Sequence, residues 1–217
     1  GLLAATAAEQ LPLDPDRRAG SGPLAGAAGW RFLGQAHNRY LVVETEDGLA
    51  LLDQHAAHEK VQYERFRRAL EGATSELISQ GLLEAVLVEI PGGEGVGEDD
   101  LVALSRAGFA VEEFGIGVVR CTAAPSQLPP GEVAAALREA LSSDRPASSD
   151  PDLPNHRLAA LLACHSAVRF GDPLPRQQVS VLLADLAKTS GAITCPHGRP
   201  AILEISEQRL RSAFHRP

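Results

Sequence analysis

At Asp53 the hydrophobic pattern of this chain changes period, and that change constrains the fold more than any other feature. Before it, apolar residues come in short, strand-length runs: residues 30–37, then 40–44 through Leu41, Val42 and Val43, then 49–53. Such runs between turn residues predict a β-meander. Asp47-Gly48 predicts the last hairpin turn, because glycine takes the positive φ that such turns need. After Asp53, Val61, Phe66 and Leu70 stand among charged residues at helical spacing. This predicts a helix over 54–70, ended by Gly72.

The remainder mixes strands and helices. Residues 82–90 predict a strand closed by Pro91-Gly92-Gly93, 99–107 a short helix, and 109–114 with 117–122 a hairpin around Gly115. A helix follows over 131–141, then a Ser-, Asp- and Pro-rich surface linker over 142–154. Asn155 is the expected N-cap of a helix over 156–170, with Gly171 its terminator. Pro175 suits the first turn of a helix to 188. Residues 201–205 predict a strand, with Ser206 capping a last short helix. No internal repeat and no regular βαβ rhythm is present, so the expected class is α+β, or a loosely mixed α/β fold.

Composition sets outer limits. A chain of 217 residues that is 44% hydrophobic can bury one sizeable core, or a core and a satellite. Residues 1–28 read as the end of a flexible linker, and the absence of methionine leads us to expect a piece of a longer protein. There is no signal peptide pattern and no apolar run of the roughly 20 residues that a membrane helix needs. Cys121, Cys164 and Cys195 are too few and odd in number for a disulfide framework, which fits a reducing compartment. The net charge of −8 argues against tight stand-alone DNA binding, which draws on phosphate neutralisation. Neither a Gly-rich phosphate loop nor a Gly-x-Ser-x-Gly nucleophile elbow is present.

Three clusters carry candidate chemistry. Asp53, His55, His58 and Glu59 sit at the strand-to-helix junction, and His55 and Glu59, four apart, share a helix face that suits a metal. A plain polar helix start with Asp53 as cap is the alternative. Cys195 and His197 flank a proline that keeps the segment extended, so both side chains can point one way, a thiolate and imidazole suited to zinc, with a buried cysteine near a surface histidine as the equal alternative. Gly198 permits a turn, and Arg199 offers a planar fork to a phosphate. Cys164 lies among apolar residues of the 156–170 helix, where a free cysteine is more often core than ligand. Together these segments supply donors for two metals, an arrangement that suits phosphodiester cleavage.

At these residues the chain resembles the MutL family. Asp53-Gln54-His55-Ala56-Ala57-His58-Glu59, with Glu64 five residues on, is similar to its endonuclease motif. Ala163-Cys164-His165 resembles its Ala-Cys helix, Cys195-Pro196-His197-Gly198-Arg199-Pro200 its Cys-Pro-His-Gly-Arg-Pro motif, and Phe214-His215-Arg216 its terminal Phe-x-Arg. The motifs occur in the family's order over 30–216.

The resemblance implies a C-terminal homodimerising domain of a bacterial DNA mismatch-repair protein that nicks one DNA strand. Family members without these motifs do not cut. It implies metal ligands Asp53, His55, Glu59, Cys164, Cys195 and His197, the first three catalytic, and Arg199 as phosphate or loop support. Zinc is the implied metal, with manganese or magnesium for cleavage, while ATP belongs to an N-terminal domain outside this chain. Implied partners are DNA, weakly, the mismatch-recognition protein MutS through the full-length protein, and the replication sliding clamp. No membrane is expected; the setting would be cytoplasmic and nucleoid-associated. The clamp would meet Gln80, Leu82 and Leu83, although Glu84 and Ala85 depart from the apolar-Pro ending, and the two leucines also suit the start of a core strand. We expect residues 29–75 and 155–217 to form the dimerisation and metal core, and 76–154 an external regulatory lobe. Two rivals stand beside this reading: a non-catalytic zinc-stabilised dimerisation module, and a small-molecule metallohydrolase.

Overall fold

The opening meander forms as its pattern requires. In the computed structural model, which describes residues 30–72, 77–90, 92, 95–142, 153–168, 171–189 and 200–216, strands β1 (Arg31–Ala36), β2 (Tyr40–Thr45) and β3 (Gly48–Asp53) pair antiparallel. Strand β7 (Ile202–Ser206) returns from the far end of the chain and pairs with β3, giving the order β1-β2-β3-β7. The β2–β3 turn lies one residue earlier than expected, since Thr45 already faces Gly48. Gly48 serves β7 instead. Its φ is +146°, and a Cβ there would stand 2.3 Å from the carbonyl oxygen of Ile205. Only glycine admits that approach.

Period-two alternation then sorts the sheet's faces. Leu41, Val43, Ala50 and Leu52 point into one cluster with Ala56, Ala57 and Val61 of α1 (Gln54–Leu70) and Val179, Leu182, Leu183 and Leu186 of α5 (Arg176–Leu186). The register puts Val42, Leu51 and Leu203 side by side on the opposite face, with Leu49 and Ile205 in the next row.

A second antiparallel sheet has the order β4-β6-β5, from β4 (Ser79–Glu89), β5 (Ala110–Glu113) and β6 (Val118–Pro125). It packs with α2 (Glu98–Arg106), α3 (Val133–Ala140) and α4 (Leu153–Ser166) around Val88, Leu104, Phe109, Val119, Leu137 and Leu162. Phe66 and Leu70, from the last turns of α1, belong to this second cluster. At 1.5 Å per residue α1 is roughly 25 Å long, enough to serve one core with its first half and the other with its second. A last helix, α6 (Glu207–Ala213), is capped by Ser206, whose Oγ accepts from the backbone N–H of Arg209, as expected. The architecture is the α+β class that the pattern of elements predicts.

Helix α4 corrects one expectation. It begins at Leu153, so Asn155 lies inside its first turn rather than capping it, and Pro154 is tolerated there because first-turn N–H groups have no intrahelical partner. It also ends at Ser166, short of the expected 170. The reason lies in what holds Val168.

A buried ion cluster stiffens α1. Lys60 Nζ bonds Glu64 Oε1 at 2.8 Å, and Arg67 reaches the other Glu64 oxygen at 3.0 Å. Burial opposes ionisation of Glu64, yet the two cations outweigh it and hold its pKa below the ordinary value. Arg65 bonds Asp185 of α5 at 2.5 Å, and the Tyr63 hydroxyl meets His156 Nδ1 of α4 at 2.6 Å, so α1 is tied to both neighbours. Among the described residues, no helix is long and apolar enough to cross a membrane.

Candidate metal and nuclease site

The site begins where β3 hands over to α1. Asp53 is the N-cap: its Oδ1 accepts from the Ala56 backbone N–H at 3.0 Å, which satisfies one of the helix's orphan donors. Its backbone N–H is held by the Ala201 carbonyl, and that of Gln54 by the Arg39 carbonyl. Gln54 is buried. Its Oε1 accepts from Gln35 Nε2, and its own Nε2 donates to the Asp172 carbonyl at 2.8 Å. The junction is therefore fixed from β1, the β1–β2 turn, the residue before β7 and the segment before α5.

His55 and His58, three apart, face the end of α4 together. His55 Nδ1 lies 2.9 Å from the Val168 carbonyl oxygen. A carbonyl only accepts, so Nδ1 carries the proton, and in the neutral ring Nε2 keeps its lone pair. His58 Nδ1 lies 3.3 Å from the Val168 N–H, which only donates, so this nitrogen accepts. Burial, helped by the Arg65 cation, pushes the His58 pKa down to about 4. The ring is neutral near pH 7, as its acceptor role requires. With both its backbone groups taken by α1, Val168 does not continue α4, which explains the early end of that helix.

Glu59, one turn past His55, is buried. Cys164, one turn before Val168 on α4, is exposed. Asp53, His55 and Glu59 thus occupy the head of α1, and Cys164 the facing end of α4. Among the described residues, however, no three His, Cys, Asp or Glu side chains gather closely enough to hold a metal ion. Cys195, His197 and Arg199 lie outside the described residues. The chemistry of His55 fits a metal: a histidine that gives one N–H to a carbonyl presents its other nitrogen as a ligand in the orientation common to metal sites. A cavity of about 400 Å³ opens beside the site, lined by His58, Arg65 and Val168 on one side and Gln177, Gln178 and Asp185 on the other.

Several residues resolve differently from their neighbours in the motifs. Glu64, the last acid of the first motif, is spent on Lys60 and Arg67. His165 bridges Glu132 at 3.0 Å and Glu139 at 3.1 Å, which ties α4 to α3. Burial lowers its pKa, but the two carboxylates outweigh burial and raise it. Gln80, Leu82 and Leu83 fall within β4, which starts earlier than the expected residue 82. The pairing with β6 is irregular between Gly81 and Val86. There Leu82 turns into the second core while Leu83 is fully exposed. The sequence assigned Gln54 no role, and left His58 in the first cluster without one. The spacing of His58 from His55 was the available signal, whereas Val168 acts through its backbone and carries none.

Two antiparallel sheets sharing one long helix, with an acid- and histidine-bearing junction at the head of that helix, define a two-cored α+β domain. The chain belongs to the family described as the MutL C-terminal dimerisation domain, whose model matches residues 33–174. It is similar to the DNA mismatch repair protein MutL of Koribacter versatilis, 36% identical over 205 residues, which are 93% of this chain and 31% of that protein. The MutL of Desulforudis audaxviator is 37% identical over 207 residues, 94% of this chain and 36% of that protein. That of Heliobacterium modesticaldum is 36% identical over 197 residues, 90% of this chain and 30% of that protein. The chain spans about a third of the length of these relatives.

Proposed function

We propose that this chain is the dimerising, DNA-nicking part of a MutL mismatch-repair protein. The observation that carries the nuclease reading is the His55–Val168 bond, which readies Nε2 as a ligand at the head of the helix that bears Asp53 and Glu59. Asp53, His55, Glu59 and Cys164 would hold metal together with Cys195 and His197. Zinc suits the thiolate and imidazole donors, and manganese or magnesium the carboxylates. When bound, such ions supply a nucleophile at neutral pH and stabilise charge on the phosphodiester. The chain's own part is to orient the donors. Val168 fixes the His55 ring, the N-cap bond holds one Asp53 oxygen toward the helix, and the helix places Glu59 one turn on. Arg199 would steady the phosphate.

The homodimer reading rests on the family's description and on the outer face of the four-stranded sheet. Val42, Leu49, Leu51, Leu203 and Ile205 form a contiguous apolar surface there, with Leu203 45% exposed. A second copy covers such a face by the same patch in a two-fold pair. We assign residues 29–75 and 155–217 to the dimerisation and metal unit and 76–154 to a regulatory lobe. The net charge of −8 makes DNA delivery the task of the rest of the protein, of MutS and of the sliding clamp, the last through Gln80, Leu82 and the exposed Leu83.

The test is nicking of supercoiled circular DNA with manganese and the cognate clamp, beside Asp53→Asn. Asparagine caps a helix as well as aspartate does, so the variant removes the charge and keeps the junction. Relaxation by the parent alone supports the reading. Undiminished nicking by the variant removes Asp53 from the site. If neither nicks, while the dimer persists, the zinc-stabilised dimerisation module is the better account.

A further inference from the structure

The motif contains two histidines, and only His55 is placed among the ligands above. We propose that His58 is a positioning residue: by accepting the Val168 N–H it aims the Val168 carbonyl at His55 and so sets which His55 nitrogen is free for metal. The inference rests on the metal reading of His55 and deepens it.

Val168 lies past the last turn of α4, which ends at Ser166. Its N–H and its carbonyl belong to the two peptide planes on either side of its Cα. His58 holds the first plane at 3.3 Å and His55 the second at 2.9 Å. Each plane turns independently about φ or ψ, so one bond alone leaves the other plane free. With both held, the carbonyl can meet His55 only at Nδ1. Without His58 the Val168 carbonyl can swing away, and the neutral His55 ring is then free to carry its proton on either nitrogen.

His58 also borders the cavity beside Arg65 and Gln177, so a smaller side chain at this position enlarges a space that already exists.

Asparagine reproduces the acceptor, because its Oδ1 falls about where Nδ1 of histidine lies, whereas alanine removes it. The experiment compares the parent chain, His58→Ala and His58→Asn. Each is labelled with ¹⁵N-histidine, and the His55 tautomer is read by long-range ¹H–¹⁵N correlation without metal. Cobalt(II) affinity is then read from its absorption bands. We expect the parent and His58→Asn to hold His55 with its proton on Nδ1. His58→Ala should show mixed tautomers and a loss of cobalt affinity of about 10-fold or more, the range for removing a group that orients a ligand. An unchanged His55 tautomer in His58→Ala overturns the proposal, as does a changed tautomer with unchanged cobalt affinity. If His58→Ala does not fold, His58→Asn compared with His58→Gln, whose acceptor sits one bond further out, gives the same decision. A parent chain that takes up no cobalt removes the metal reading itself, while the metal-free tautomers still decide whether His58 positions His55.

Discussion

His55 donates Nδ1–H to the carbonyl oxygen of Val168 over 2.9 Å, across 113 residues of chain. This bond joins the head of α1 to the end of α4, and it brings the α4 turn that carries Cys164 to the same end of the helix pair. Cys164 is exposed, whereas Cys121 is buried and its pKa is pushed up to about 11 by that burial. Alkylation of the folded chain should therefore modify Cys164 and spare Cys121, since the thiolate is the reactive form. If Cys164 is a ligand, zinc will slow its modification, as read by peptide mass spectrometry. An unaltered rate at saturating zinc removes it from the ligand set.

Glu64 makes acid sensitivity specific. It is 6% exposed and paired with Lys60 and Arg67. Glu64→Gln leaves the buried Lys60 without its charge partner and should cost about 3 kcal/mol at pH 7. The folded-state pKa of Glu64 is lowered, so its contribution is fully present above the ordinary carboxylate value of about 4.3 and is lost as pH falls through the lowered value. Urea unfolding across pH should show a full gap between parent and variant at pH 7 that narrows below about pH 4. A gap that stays constant into acid contradicts this account.

The outer sheet face should decide oligomeric state. Leu203→Asp puts a charge at the edge-strand end of the Val42–Leu51–Leu203 row, at a side chain exposed in the single chain. The expected outcome of light scattering after size exclusion is half the parent mass, with the circular dichroism spectrum preserved. Retention of the parent mass moves the interface elsewhere.

Gly48→Ala tests the close approach of β7. The added Cβ meets backbone atoms of Ile205 and Glu207, which have no rotamer to escape through. With strain at a positive φ, the cost should be about 2 kcal/mol, read as a fall in thermal midpoint. An unchanged midpoint means that β7 docks more loosely than its register implies.

Much of this was legible in the residues themselves. The meander and α1 follow from hydrophobic period alone, and the 54–70 helix has the expected bounds because its pattern, its cap at Asp53 and its end near Gly72 agree. The candidate donors Asp53, His55 and Glu59 were recognisable from residue type and spacing, whereas Cys164, which its apolar neighbours assigned to the core, became a candidate only through the family resemblance. The ends of α4 were not. Its beginning turned on a proline that a first turn tolerates, and its end on two histidines 110 and 113 residues away in sequence.

Sequence by itself determined the elements, because period and capping are local properties written in neighbouring side chains. It also showed which side chains have the chemical type of a metal ligand. Tertiary structure decided the rest. It chose Glu64 for an ion cluster and brought β7 onto β3 where only glycine fits. Above all it gave the two histidines of one motif opposite hydrogen-bonding roles. That assignment depends on a backbone N–H and a backbone carbonyl, groups every residue but proline carries, so no reading of side chains along the chain can locate it.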